Sequence, residues 1–182
     1  MGQASKTGGA ICIELKSSIA DDKAALSILA HEMGEADYLL RGYPKVIDNK
    51  DRTNCANRIG ELFSHKHIHE LLKQEGLHEY DSYLDKHDSK IWRCKDYKLD
   101  YVNDWEQILM LAWALITFPS LGRYKDDLKG YKYHFDPVFK ILEIISNIPA
   151  NCCVKQVQSS MNCVLEILFK YGLDDLTVTI ES

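Results

Sequence analysis

The segment Ser64-His65-Lys66-His67-Ile68-His69-Glu70 packs three histidines into five consecutive positions. On a helix, His65 and His69 stand four residues apart on one face, where two imidazoles can share one Zn²⁺. A third ligand has to come from elsewhere in the chain, with His31, His78 and Asp81 as candidates. The metalloprotease pattern His-Glu-x-x-His is absent, because Lys66 follows His65. The plainer reading, which the sequence favours, is a hydrated helix face backed by Ile59, Leu62, Ile68 and Leu72.

Other chemistry is less organised. The acidic pairs Asp21-Asp22, Asp126-Asp127 and Asp174-Asp175 are adjacent in sequence, so their side chains diverge, whereas acid–base catalysis needs two carboxylates facing each other. Asp48–Glu61 lacks the glycine and glutamate offsets of a calcium loop. Cys55, Cys94 and Cys152 have no histidine paired to them by spacing. Phosphate-binding glycine loops and serine elbows are missing. The stretch from Arg123 to His134 interleaves cations with Tyr124, Tyr131 and Tyr133, and reads as a surface loop whose rings could anchor a partner. Gly2 follows the initiator methionine as an acyl-acceptor glycine would, but Lys6 occupies the position where that pattern wants Ser or Thr.

Composition sets the bounds. A chain of 182 residues with 46% hydrophobic and 27% charged residues is expected to fold as one soluble domain with its own core. Net charge −5 argues against a general nucleic-acid surface. Cysteines at 12, 55, 94, 152, 153 and 163 are expected to be free thiols in a reducing compartment. Cys152, Cys153 and Cys163 are read as small buried side chains. The apolar run near the beginning is too short for a signal peptide, and Ile108–Phe118 covers only about half a bilayer core.

The elements that must position any site are helical. Residues 1–10 read as a flexible segment and 11–182 as a single helical domain. From Ser18 onward Ile19, Leu26, Leu29, Met33 and Leu40 recur at helical steps, with Gly34 a soft point that could divide the helix. A second helix is expected from Asn54 to Gln74, ended by Gly76. Trp105–Phe118 is the clearest helix, capped by Asp104 and stopped by Pro119. Asp136-Pro137 should start a fourth helix, and Asn151 should cap a fifth that ends at Gly172. The last two, over Asp136–Gly172, resemble one unit of an armadillo- or HEAT-type repeat. A second copy at a fixed period is missing, so a compact irregular all-α bundle is expected. Leu176–Ile180 reads as a terminal extension, or as a minor strand pairing with Ile11–Leu15.

These features point to a non-enzymatic cytoplasmic protein-interaction module or adaptor, with no cofactor. Trp92 in its polar stretch is the preferred exposed anchor, joined by Tyr124, Tyr131 and Tyr133. The alternatives are a metal-assisted hydrolase using His65 and His69, and a structural subunit of an oligomeric assembly. An acylated Gly2 would add weak peripheral membrane contact.

Overall fold

The structure, a computed structural model, describes residues 2–7, 10–15, 22–50, 52, 55–80, 103–129, 132–149 and 152–180. Along these residues the chain runs β1 (Gly2–Thr7), β2 (Ala10–Leu15), α1 (Asp22–Leu40), β3 (Lys45–Asp48) and α2 (Cys55–Gln74). It continues with α3 (Trp105–Thr117), a 3-10 turn (Pro119–Leu121), α4 (Gly122–Lys129), α5 (Lys132–Ser146), α6 (Val154–Phe169) and β4 (Leu176–Thr179).

The mostly helical architecture expected from the sequence is what forms. Its centre is α3, whose Ile108, Leu109, Ala112 and Leu115 are buried among α2, α5 and α6. Ile59, Leu62 and Phe63 meet them from α2, Val138, Ile141 and Ile145 from α5, and Met161, Val164 and Leu168 from α6. Each such side chain contributes about 1.5–3 kcal/mol on leaving water, so this cluster dominates the folding energy. Asp104 begins α3 by accepting a hydrogen bond from the Gln107 N–H at 2.8 Å. Pro119, which has no N–H to give, stands just past its end. At the end of α2, Gly76 adopts φ +73°, and the Leu77 N–H reaches back to the Leu72 carbonyl at 2.7 Å. A side chain at position 76 would be strained there.

Helix α1 departs from the expected packing. It is continuous through Gly34, and the large residues of its stripe do not face the core: Leu26, Met33 and Leu40 are exposed by 48%, 54% and 64%. Ser27, Ala30, Glu32, Gly34, Ala36 and Tyr38 are buried instead. The reason is steric. A methyl group at Gly34 would lie 2.8 Å from Ile68 Cγ1, so the small face of α1 seats directly on α2, with Ala30 packed against Ile68 and Leu72. Close approach selects small residues at this contact and leaves Leu26, Met33 and Leu40 outside.

Several boundaries also differ. The described residues of the segment read as an aromatic surface loop are helical, with α4 over Gly122–Lys129 and α5 beginning at Lys132. Pro137 therefore lies inside α5, where it removes one backbone hydrogen bond. Cys153, whose N–H bonds Gln156 Oε1 at 2.9 Å, precedes α6, in place of the expected Asn151 cap. Cys153 and Cys163 are exposed, contrary to their reading as buried side chains, while Cys55 is buried. Residues 2–7, read from composition as flexible, carry β1, which pairs antiparallel with β2 and packs on α1. The terminal segment forms β4, but its partner is β3 rather than Ile11–Leu15.

A charged clasp closes the β3–β4 pair. Arg52 bonds Asp48 Oδ2 through Nε at 2.9 Å and Asp174 Oδ1 through Nη1 at 2.9 Å, while Lys50 Nζ meets Asp174 Oδ2 at 2.5 Å. The guanidinium also lies 5.8 Å from the Trp105 ring, at the start of the central helix. The Arg52 hydrogen bond to Asp48 outweighs desolvation and holds that carboxyl below its ordinary range. Lys50 does the same to Asp174. Depressed carboxylates stabilise the fold above their ordinary pKa of about 3.9, and that contribution is lost as pH falls through the lowered values.

Two outcomes follow from this packing. Gly34→Ala should destabilise the protein by about 1–2 kcal/mol in urea unfolding, because overpacking against Ile68 exceeds the roughly 1 kcal/mol that alanine gains in a helix. Ile68→Val in the same chain should recover part of that loss, and a stabilised single variant would contradict the close contact. Arg52→Met should lower the melting temperature at pH 7, with the gap to the parent closing below about pH 4 as both carboxylates protonate. A gap that stays constant down to pH 2.5 would contradict the clasp.

Candidate functional sites

The close seating of α1 on α2 assembles a polar cluster at their interface. His31 and Glu35, one turn apart on α1, flank Gly34 on the side that meets His65 of α2. One donor atom from each of His31, Glu35 and His65 falls within 4.8 Å of the other two. The His31 and His65 rings meet edge to face at 5.2 Å, and His31 Nε2 lies 3.7 Å from Glu35 Oε1. Helix α3 closes the cluster from behind: His65 Nδ1 and Thr117 Oγ1 are 2.7 Å apart, which leaves Nε2 of that ring for another partner. Trp113 of the same helix carries Arg58 over its ring at 5.5 Å and lies 6.4 Å from the His65 ring.

Electrostatics single this place out. Burial, reinforced by the charges of His31 and His69, drives the His65 pKa well below its ordinary value, so the ring is neutral at pH 7. Glu32 is buried beside the cluster, and desolvation together with the Glu35 charge pushes its carboxyl up to about 7, against the opposing pull of His31. Its Oε2 has no hydrogen-bond partner among the described residues. Burial also raises Glu61, one turn before His65, with Trp113 pulling the other way, Glu35 adding to the rise, and Arg58 and His31 opposing it. Two partly desolvated carboxyl groups, Glu32 and Glu61, therefore lie close to the Glu35 charge, and a hydrogen bond to Glu35 adds to the rise of Glu32.

The residues named from sequence fall in different places. His65 lies on the buried side of α2, so this part of the histidine segment is not a hydrated face. His69 shares the His65 side of the helix, with ring centroids 6.4 Å apart, but its Nε2 sits 3.2 Å from the Ile116 carbonyl and it is outside the trio. His31 was among the candidate third ligands. Glu35 was not, although its spacing of four from His31 was a readable signal. His78 is exposed; Asp81, Trp92 and Tyr131 lie outside the described residues. Tyr124 is half-buried against the core, which raises its phenol pKa. Tyr133 belongs to α5, but its side chain lies outside the described set. Gly2 opens β1 opposite Leu15. Burial pushes the Cys55 thiol up to about 11, so it is no ready nucleophile.

A second feature is the outer face of α1. Leu26, Met33 and Leu40 follow one another at seven-residue steps, forming an apolar stripe along the helix with half-buried Leu29 beside it. Isolated exposed apolar residues are ordinary, but a stripe of heptad period is the pattern of a helix that meets another helix. By contrast, a pocket between Tyr38, Tyr43, Lys66 and His67 holds only about 20 Å³, enough for a single water and no metabolite. The depression between α5 and α6, lined by Lys140, Glu143, Glu166 and Lys170, is open and charged.

Comparison with known proteins identified no match to any family model, any curated protein or any solved structure. None of the helices among the described residues is long and apolar enough to cross a membrane.

The Thr117 contact has a measurable consequence. Thr117→Val keeps the side-chain shape but leaves His65 Nδ1 buried without its partner, at a cost of about 1–3 kcal/mol. Thr117→Ser should retain most of the stability in the same unfolding assay. Equal stability of all three proteins would contradict a structural role for this hydrogen bond.

Proposed function

We propose that this chain is a non-enzymatic protein-interaction module that presents the outer face of α1 to a helical partner. The observation that carries this reading is the inverted burial of α1. Mostly small residues, with Ser27, Glu32 and Tyr38, turn inward while Leu26, Met33 and Leu40 stand in water at heptad spacing. A monomeric surface helix normally turns its large apolar residues toward its own core. Here the core face is already occupied by the Gly34–Ile68 contact, so the stripe is left for a second molecule.

The magnitude suits a recognition contact rather than a permanent assembly. Covering the exposed parts of three such side chains yields on the order of 1 kcal/mol each, so a partner must add further contacts to bind tightly. An apolar helix face or groove supplies them by accepting side chains at the same repeat. The described residues pair no activated nucleophile with a base, and the pocket beside His67 is too small for a metabolite, so the apolar face is the better supported site.

Cross-linking capture from native cells, using the parent chain and a Met33→Lys/Leu40→Lys variant in parallel, tests the proposal. The variant should keep its helical circular dichroism and melting temperature, because both side chains are already exposed, and should lose a partner that the parent retains stoichiometrically. Equal recovery of that partner by both proteins, or no stoichiometric partner with the parent, would overturn it.

A further inference from the structure

The cluster between α1 and α2 has the composition and placement of a metal site. We propose that His31, Glu35 and His65 bind one divalent transition cation of the zinc class, clamping α1 to α2 beneath the exposed stripe. The donor set is two imidazole nitrogens and one carboxylate oxygen, a combination that suits Zn²⁺ and its neighbours Co²⁺ and Ni²⁺ better than calcium or magnesium. A tetrahedral zinc ion separates its donors by about 3.3 Å, so the trio, whose donors lie within 4.8 Å of one another, has to draw in by at most about an ångström and a half.

Three further observations bear on the site. His65 Nδ1 is already held by Thr117, which fixes the ring and presents Nε2, as the outer partners of metal-bound histidines do. Glu32 is buried beside the trio with Oε2 unpartnered among the described residues, and stands as a further oxygen donor or as the acceptor for a bound water. Glu61 adds a carboxylate from α2 close enough to feel the Glu35 charge, with Arg58 and His31 as the cations facing it. His69, engaged with the Ile116 carbonyl, stays outside the coordination shell. The site is distinct from the outer stripe, and it stands or falls independently of the partner proposed for that stripe.

The test uses the full chain, stripped with a chelator and dialysed, then titrated separately with Zn²⁺ and Co²⁺. One equivalent of Zn²⁺ should bind and raise the melting temperature. Co²⁺ should develop the visible absorption of a four-coordinate nitrogen–oxygen site, and Zn²⁺ should displace it. His31→Ala and Glu35→Gln, both at half-buried positions that permit folding, should each weaken Zn²⁺ binding by at least about tenfold. His69→Ala should leave it unchanged. Circular dichroism confirms that each variant is folded before its affinity is read. Absence of binding to the folded parent would overturn the proposal. Undiminished binding by both His31→Ala and Glu35→Gln would do the same, as would loss of binding on His69→Ala alone, which would place the ion on His65 and His69 instead.

Discussion

The contact on which the rest depends is the approach of α1 to α2 at Gly34. With a hydrogen in place of a side chain, position 34 lets Ile68 press onto the α1 backbone, at a separation that a single methyl group would violate. Ala30 extends the same small surface over Ile68 and Leu72. Two consequences follow from one steric fact. Residues on the inward side of α1, His31 and Glu35 among them, come within ligand distance of His65, and Leu26, Met33 and Leu40 are turned outward. An exposed Leu26–Met33–Leu40 stripe on a helix whose buried positions are mostly small departs from the usual arrangement, and both candidate sites derive from that departure.

Stability and function are thereby divided between different helices. The packing of α3 with α2, α5 and α6 buries most of the large aliphatic residues, and α1 adds Tyr38 to that core. Burial of Glu32 and Glu61 near that contact works against folding, since desolvation and the neighbouring Glu35 charge raise both carboxyl groups rather than stabilise the structure. A chain that tolerates such a cost at one interface, while keeping its central core conventional, concentrates its unusual chemistry in one place.

Much of the helical framework was legible in the sequence because its signals are local. Asp104 before an uninterrupted apolar run, Pro119 after it, and Gly76 and Gly172 past the ends of two other helices each act within a few residues. The orientation of α1 was not legible. Periodicity shows that Leu26, Met33 and Leu40 share a stripe, but whether that stripe faces inward is decided by Ile68, far away in sequence. Strand β3 was hidden for a similar reason: four residues carry little pattern, and their partner lies at the other end of the described chain. The aromatic stretch before α5 misled because its tyrosines and charges resemble a loop, while helix formation there is set by packing on the core. Of the cluster, the histidines could be named from spacing, but choosing His31 over His78, and adding Glu35, required knowing which helix faces which.

The most direct measurement is the set of nuclear Overhauser contacts made by the Ile68 methyl groups in selectively methyl-labelled protein. Strong cross-peaks to the Gly34 α-protons and the Ala30 methyl group, with none to Leu26, Met33 or Leu40, are the expected result. Cross-peaks from Ile68 to the methyl groups of Met33 or Leu40 would mean that α1 turns its large residues inward, and both the buried cluster and the exposed stripe would be lost together.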